Sequence, residues 1–302
     1  MKKLLLATSA LVASAGMAAA DLELTGSANM GVTYVDDEFD SDDVLDNLGD
    51  TTDGELALQY EIDLNVVGSG TTDSGLTFGA SIDLDASIDR DSGNQNGLNE
   101  DFDPEVFISG NFGTLTVGNL DPATDGLGIS DIGFDELGTT TTDLDDVAEY
   151  GKVVGSANMN YEYAFGDFAA LVSAHTVTED YGVALTYAPG NYSVALGYDY
   201  DDVNDDESYT LSGGATFGAF AVEATYTNYD IADDDGNSYG LLGSYEVGAL
   251  TLSATVGDSD EYDDTAYGVG AAYDLGGGAS LAGAVGSVND QTVADLGVNF
   301  TF

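Results

Sequence analysis

Acidic residues recur at every second position in two neighbouring stretches, as Glu61 with Asp63 and as Asp83 with Asp85. This spacing puts both carboxylates of a pair on one face of a β-strand, because successive side chains of a strand point to opposite sides. Carboxylates that surround a narrow aqueous path attract cations and repel anions. The chemistry that these residues favour is therefore electrostatic selection of ions.

The composition gives little support to covalent catalysis or nucleic-acid binding. The chain has one histidine, His175, and no cysteine, so a nucleophile held beside a base has few candidates. It has 4 Lys+Arg against 56 Asp+Glu, a formal net charge of -52, and such a charge repels phosphate groups. We therefore expect no enzymatic activity and no nucleic-acid partner.

Residues 1–20 have the pattern of a secretory signal peptide. Two lysines precede an apolar stretch, and three alanines ending at Ala20 precede the expected cleavage site. Cleavage there leaves Arg90 and Lys152 as the basic residues of the mature chain. No later run reaches the roughly 18 uninterrupted apolar residues that a spanning helix needs, so we expect any membrane insertion to use strands.

Apolar and polar residues alternate along most of residues 21–302, beginning clearly with the stretch from Leu56 to Val66. Period two indicates strands with one apolar and one polar face, and the number of such stretches predicts sixteen strands. If the polar faces point inward, the inward acidic residues are Glu23, Glu61, Asp63, Asp83, Asp85, Glu162, Asp199, Glu223 and Asp295.

The connections between these stretches are of two kinds. Some are tight glycine turns such as Gly166-Asp167 and Gly218-Ala219. The others are acidic loops, predicted at residues 36–54, 90–103, 118–155, 201–207, 229–237 and 257–264. The sequence thus predicts an all-β fold: one domain over residues 21–302, a sixteen-stranded antiparallel transmembrane β-barrel with short periplasmic turns and long acidic external loops.

Two other interpretations of the same composition are open to test. A disordered acidic polymer disagrees with 43% hydrophobic residues and 18 tyrosines. A soluble or surface-attached acidic β-protein, which binds calcium or acts as an adhesin, is the alternative function. No cofactor is expected, but Ca²⁺ at the external acidic loops is a candidate ligand, with Asp233 and Asp235 as candidate residues.

Several segments resemble a known family. Residues 293–302 alternate up to the terminal Phe302, which looks like the C-terminal signal that the outer-membrane barrel-assembly machinery binds. Residues 70–81, 106–113 and 272–280 resemble the alphaproteobacterial general porins of the Rhodobacter type. The resemblance implies sixteen strands per barrel, a homotrimer in contact with outer-membrane lipid and lipopolysaccharide, and a third external loop that folds inward to narrow a water-filled pore.

The matching loop here is Gly118 to Gly155, and the resemblance implies that some of its carboxylates line the constriction: Asp121, Asp125, Asp131, Asp135 and Glu136. Family members place a basic cluster on the facing wall, for which this chain has only Arg90 and Lys152. We therefore expect an almost purely negative passage, lined also by Glu61, Asp63, Asp83, Asp85, Arg90, Glu162 and Glu223. The expected function is passive, cation-preferring diffusion of small hydrophilic solutes and ions across the outer membrane of a Gram-negative bacterium.

Overall fold

A computed structural model shows a chain folded almost entirely into antiparallel strands. The structure describes residues 21–36, 55–88, 99–134, 136–139, 142–152, 154–232 and 234–302. In these residues the chain forms one short helix, α1 (Leu144–Glu149), and sixteen strands. In chain order, β1 to β16 are Asp21–Val35, Glu55–Thr71, Thr77–Ile88, Asn99–Gly110, Gly113–Leu120, Ala157–Phe165, Phe168–Ala174, Tyr181–Tyr187, Tyr192–Asp201, Asp206–Phe217, Phe220–Ile231, Asp234–Val247, Leu250–Ser259, Ala266–Gly276, Ala279–Val288 and Gln291–Thr301.

The sheet closes on itself. Each strand pairs with its neighbours in sequence, and β1 also pairs with β16. At this seam Gly26 and Phe302 exchange two backbone hydrogen bonds, each of 2.9 Å. Closure matters in a membrane, because lipid offers no partner to the backbone groups of a free sheet edge. The predicted sixteen-stranded antiparallel barrel is confirmed.

The two faces of the barrel wall differ in chemistry, as the alternation predicts. Adjacent residues of β12 show the contrast: Leu241 points outward and is 49% exposed, whereas Leu242 points inward and is 4% exposed. Large apolar side chains such as Leu58 and Val106 are exposed on the outer face. Inward positions carry hydroxyls, amides and carboxylates, so the wall is apolar outside and polar inside.

The two rims have different connections. At one rim the strands join through tight turns, and Gly218 supplies the positive φ of 66° that such a turn requires between Phe217 and Phe220. The longer connections lie at the other rim, but β15 and β16 are joined there by a two-residue turn. Its residues Asn289 and Asp290 have φ of 49° and 59°, which is the geometry of a type I′ hairpin.

Five of the six predicted loops include strand residues, and the loops at 90–103 and 229–237 contain the most. Within 90–103, β4 already begins at Asn99, which pairs with Ser87. Within 229–237, β11 runs to Ile231 and β12 begins at Asp234. Acidic composition was misleading here, because backbone pairing continues beyond the membrane, where an acidic side chain meets water. Most of the loop predicted at 36–54 lies outside the described residues.

The connection between β5 and β6, residues 121–156, contains α1. The helix begins after Asp143, whose backbone N–H donates to Asp146 Oδ2 at 2.9 Å. Asp145 and Asp146 occupy the first helical turn, where the helix dipole favours negative charge. The helix lies against β11 to β14. Among the described residues, no helix is long and apolar enough to cross a membrane.

Candidate functional site

Residues 121–156, called the inner segment below, run along the inner face of the barrel wall. Its backbone donates hydrogen bonds to inward side chains of three separate strands: Ala123 N to Ser173 Oγ at 2.9 Å, Ser130 N to Glu223 Oε2 at 2.7 Å, and Phe134 N to Asp295 Oδ1 at 3.0 Å. The segment therefore crosses from β7 past β11 to β16 inside the barrel.

The later part of the inner segment is also hydrogen-bonded to the wall, here through its backbone carbonyls. Ser208 Oγ donates to Lys152 O at 2.9 Å, and Ser238 Oγ donates to Tyr150 O at 2.8 Å. Thr124 Oγ1 donates to the same Lys152 carbonyl at 3.0 Å and so ties the beginning of the segment to its end. Hydroxyl groups of the wall thus satisfy backbone carbonyls of the segment that would otherwise be buried without partners.

Apolar contacts hold α1 against the wall. Val147 and Ala148 are completely buried, and they belong to one apolar cluster with Leu242. Gly257 permits this contact, because a Cβ at that position would lie 2.6 Å from Ala148 Cβ. The inner segment consequently covers the wall from β7 round to β1, whereas the inward side chains that the structure describes in β3 to β6 keep contact with water.

The uncovered part of the wall carries closely spaced carboxylates. Asp63, Asp83 and Asp85 have carboxylate oxygens within 4.8 Å of one another, and Asp63 stands opposite Asp85 in the register of β2 and β3. Glu61, the next inward residue of β2, accepts a hydrogen bond of 3.0 Å from Asn29 Nδ2. The predicted residues Glu61, Asp63, Asp83 and Asp85 therefore form one acidic surface inside the barrel.

A recess of about 140 Å³ lies beside this surface, where the wall meets the start of the inner segment. Its lining residues are Asn65, Ser81, Asp83, Asp103, Glu105, Asn119, Leu120 and Asp121. Asp103 stands opposite Asp83 in the register, and Ser81 Oγ donates to Glu105 Oε2 at 3.2 Å. Carboxylates of β3 and β4 thus line the recess together with Asp121.

Asp103 and Glu105 were missed by the sequence analysis. The loop predicted at 90–103 included Asp103, and Pro104 interrupts the pattern. The available signal was the alternation of outward and inward residues. Phe102 and Val106 point outward and are 60% and 63% exposed. Asp103 and Glu105 occupy the two inward positions between them. Pairing of Pro104 with Ile82 shows that the proline lies within the strand.

The inner segment adds a second group of carboxylates. Asp131, Glu136 and Asp145 have carboxylate oxygens within 4.8 Å of one another. Burial, together with the nearby charges of Asp131 and Asp146, raises the pKa of Asp145 to about 7. Such crowded oxygen ligands are of the type that a hard divalent cation prefers. Protonation or cation binding would relieve the repulsion among them.

Positive charge is scarce around these carboxylates. Lys152 is the one lysine or arginine among the described residues, and its Nζ forms an ion pair with Glu149. Glu149 is 8% exposed and also accepts a hydrogen bond of 2.6 Å from Ile129 N. Lys152 is thus neutralised by a neighbour on its own segment. The other predicted cation, Arg90, lies outside the described residues.

The remaining predicted pore residues fall into several groups. Asp125 and Glu136 are exposed on the inner segment, and Glu162 is exposed at an inward position of β6. Glu223 points inward too, but its carboxylate accepts the backbone N–H of Ser130. Asp135 lies outside the described residues.

Two inward acids of the prediction are covered by the inner segment. Asp199 is 0% exposed and is hydrogen-bonded to Thr124, and Asp295 is 7% exposed and accepts a hydrogen bond from Phe134 N. Their inward orientation is as expected, but they hold the segment in place and do not face open solvent. Of the two candidate calcium ligands, Asp235 is exposed in β12 and Asp233 lies outside the described residues.

Two features of the barrel have a superficial likeness to hydrolase sites. His175 Nδ1 lies 2.6 Å from Thr178 Oγ1, which donates to Asp180 at 2.6 Å, but these groups brace one external loop. A Gly-x-Ser-x-Gly sequence at residues 236–240 lies inside β12, not at a strand-to-helix turn. Its serine, Ser238, is completely buried and hydrogen-bonded to Tyr150 O, so it is not available as a nucleophile.

Comparison with known proteins decides the family. The family model described as Gram-negative porin matches residues 7–292. The chain belongs to the Gram-negative porin family. A curated relative, the porin of Rhodobacter capsulatus, is 32% identical over 93% of this chain and 100% of its own length. The porin of Fuscovulum blasticum is 27% identical over the same shares.

Solved structures give the same result for the fold. A variant of the Rh. blastica porin superposes with a TM-score of 0.71 at 25% identity and covers 93% of this porin and 100% of its own chain. The molecule is therefore an outer-membrane barrel of a Gram-negative bacterium that forms a diffusion channel, and it has no enzymatic role. Membership in this family overturns the alternative of a soluble or surface-attached adhesin.

Proposed function

We propose that this porin prefers cations over anions as it passes small hydrophilic solutes and ions, and that the inner segment narrows its passage. The observation that carries the proposal is that closely spaced carboxylates lie both on the uncovered wall and on the inner segment. Asp63, Asp83 and Asp85 lie on the wall, and Asp131 with Asp145 lies on the segment. The positive charge of Lys152 is neutralised by its ion pair with Glu149.

The electrostatic reasoning follows from distance and screening. At physiological ionic strength the Debye length is about 8 Å, so charges on opposite sides of a narrow aqueous path act on the same ion. Low-dielectric protein around the path focuses this field further. Like charge on both sides raises the local concentration of cations and excludes anions, and no basic surface of the described residues opposes it.

Neutralising the wall carboxylates tests this proposal. We expect the variant Asp63→Asn, Asp83→Asn, Asp85→Asn to have a cation-to-anion permeability ratio lower by about twofold or more. The reason is that three negative charges are removed from a region where the field is focused. The ratio is measured from reversal potentials of single channels in planar bilayers. A matched control removes three exposed acids of the tight-turn rim, Asp73, Asp167 and Asp274, and should retain most of the preference. Equal ratios in both variants would refute the role of the wall.

Processing and partners belong to the same proposal. Cleavage near Ala20 would release a mature chain, residues 21–302, that folds as one barrel domain and assembles as a homotrimer in outer-membrane lipid and lipopolysaccharide. The exposed apolar outer face supports lipid contact. Phe302, 67% exposed beside the barrel seam, is accessible to the barrel-assembly machinery. Migration of the unboiled protein as a single-size monomer on gels would contradict the trimer.

Calcium at the external acidic loops is a further part of the proposal. Asp235 is exposed there and presents the carboxylate oxygens that Ca²⁺ prefers. Thermal stability that stays unchanged after chelation would argue against bound calcium.

A further inference from the structure

The side chain of Phe134, near the middle of the inner segment, lies over two glycines of the barrel wall. Gly31 of β1 and Gly297 of β16 stand directly opposite each other at inward positions of the seam. A Cβ on Gly31 would lie 2.8 Å from Phe134 Cε1, and a Cβ on Gly297 would overlap the same ring, with 2.5 Å to Cγ. The two missing side chains thus leave a hollow in the wall that the phenyl ring occupies.

The backbone of Phe134 is held at the same place. Its N–H donates to Asp295 Oδ1 at 3.0 Å, and its carbonyl accepts from Asn299 Nδ2 at 3.1 Å. Asp295, Gly297 and Asn299 are successive inward residues of β16, so one strand supplies both hydrogen-bonding groups and half of the hollow. Asp295 Oδ1 is itself fixed by a hydrogen bond of 2.8 Å from Ala284 N.

The preceding residue completes the arrangement. Gly133 has a φ of 98°, which disfavours any other residue, and a Cβ there would overlap the carboxylate of Asp295. The ring of Phe134, its backbone hydrogen bonds and the conformation of Gly133 therefore all hold this part of the segment in contact with β16. We call Phe134, Gly31, Gly297, Asp295 and Asn299 the Phe134 anchor.

We propose that Phe134 is a positioning residue that fixes the middle of the inner segment to the seam of the barrel and thereby keeps the width of the passage constant. This inference rests on the proposed narrowing by the inner segment. Strands β5 and β6 fix the two ends of the segment, and α1 fixes a stretch near its end against β11 to β14. The Phe134 anchor fixes the stretch that reaches farthest round the wall, against β16 and β1.

A reversible cross-link tests the anchor in one molecule. The chain has no cysteine, so the variant Phe134→Cys, Gly297→Cys carries only the introduced pair. Because Phe134 Cγ lies 2.5 Å from the Cβ position of Gly297, the two Cβ atoms are at most about 4 Å apart, which is within bridging range. We expect the oxidised variant to conduct as steadily as the natural protein.

Reduction of the same channels should release the segment. We expect open-channel current variance to rise about twofold or more, with brief partial closures, because a segment freed at one point samples more positions. Phe134→Ala should behave like the reduced variant. Phe217→Ala, which removes an exposed ring at the tight-turn rim, should not. The natural protein should not respond to reductant.

Several outcomes would overturn the inference. Failure of the cysteine pair to form a disulfide in folded barrels would show that residues 134 and 297 are not in contact. Equal current variance in the oxidised and reduced states would show that the contact does not steady the passage. The reversal potential of the natural protein tests the proposed cation preference separately: a potential that shows no preference for cations refutes that preference, whereas the anchor is judged by disulfide formation and by current variance.

Discussion

The protonation of Asp145 depends on its surroundings in the folded protein. Burial on the inner segment, together with Asp131 and Asp146, raises its pKa from 3.8 to about 7. A raised pKa means that folding favours the protonated form. Stability should therefore increase as pH falls from about 7 towards the ordinary value, and the charged form should be unfavourable throughout the range above about 7.

The variant Asp145→Asn should remove this dependence. At pH 8 we expect it to be more stable than the natural protein by at most about 4 kcal/mol, since one pKa unit corresponds to about 1.4 kcal/mol. Residual contact of Asp145 with water makes the true gain smaller. The advantage should disappear as pH approaches 4. Urea unfolding midpoints at several pH values measure it, with Asp125→Asn, an exposed neighbour on the segment, as control. An advantage that does not depend on pH would contradict the argument.

Residue types and spacing were enough to predict which carboxylates of the wall point inward, because alternation along a strand is a local property. Inward orientation of Asp63 and Asp83 could be read from their own neighbours in sequence. The burial of Asp199 and Asp295 beneath the inner segment could not be predicted in this way, because the residues that cover them lie far away in the chain. Phe134 and Asp295 are separated by 161 positions, and no local pattern reports such a contact.

Strand ends were harder to predict than strands. The apolar face of a strand marks the part in lipid, but backbone pairing continues where both faces are polar. Asp230 pairs with Asp235 in a stretch that composition alone would make a loop. The path of the inner segment was also outside the reach of sequence patterns, since its short apolar stretches and small α1 have no long period. The family resemblance implied an inward fold without naming the contacts.

The hairpin between β15 and β16 offers a test at the level of one element. Asn289 adopts a φ of 49°, which asparagine tolerates and β-branched residues do not. Asn289→Val should therefore destabilise the barrel by about 1–2 kcal/mol, the cost of placing a bulky residue in the left-handed region. Asn289→Gly should have a stability close to that of the natural protein.

Unfolding of both hairpin variants in detergent, followed by circular dichroism, measures the difference. Because this turn joins β15 to the strand that closes the barrel, the change should affect global unfolding and not one loop alone. Equal midpoints for the valine and glycine variants would show that the turn geometry does not limit stability.

At the scale of the whole molecule, the acidic composition and the closed barrel act together. Removal of residues 1–20 would leave two basic residues in a chain whose 56 acidic residues remain. Closure puts the apolar residues outside, so the acidic side chains of the described strands lie at the lumen and the rims. The uncovered wall and the inner segment then present carboxylates to one passage. Glu149 meanwhile neutralises Lys152, the one lysine or arginine in the part of the chain that the structure describes.

The measurement that tests this account most directly is the reversal potential of the natural protein, reconstituted in a planar bilayer between two KCl solutions of unequal concentration. The account predicts a potential whose sign shows K⁺ to be more permeant than Cl⁻, and a preference that weakens as the salt on both sides is raised towards about 1 M, where the Debye length is about 3 Å. A potential near zero, or one of the sign that shows Cl⁻ to be more permeant, would contradict it.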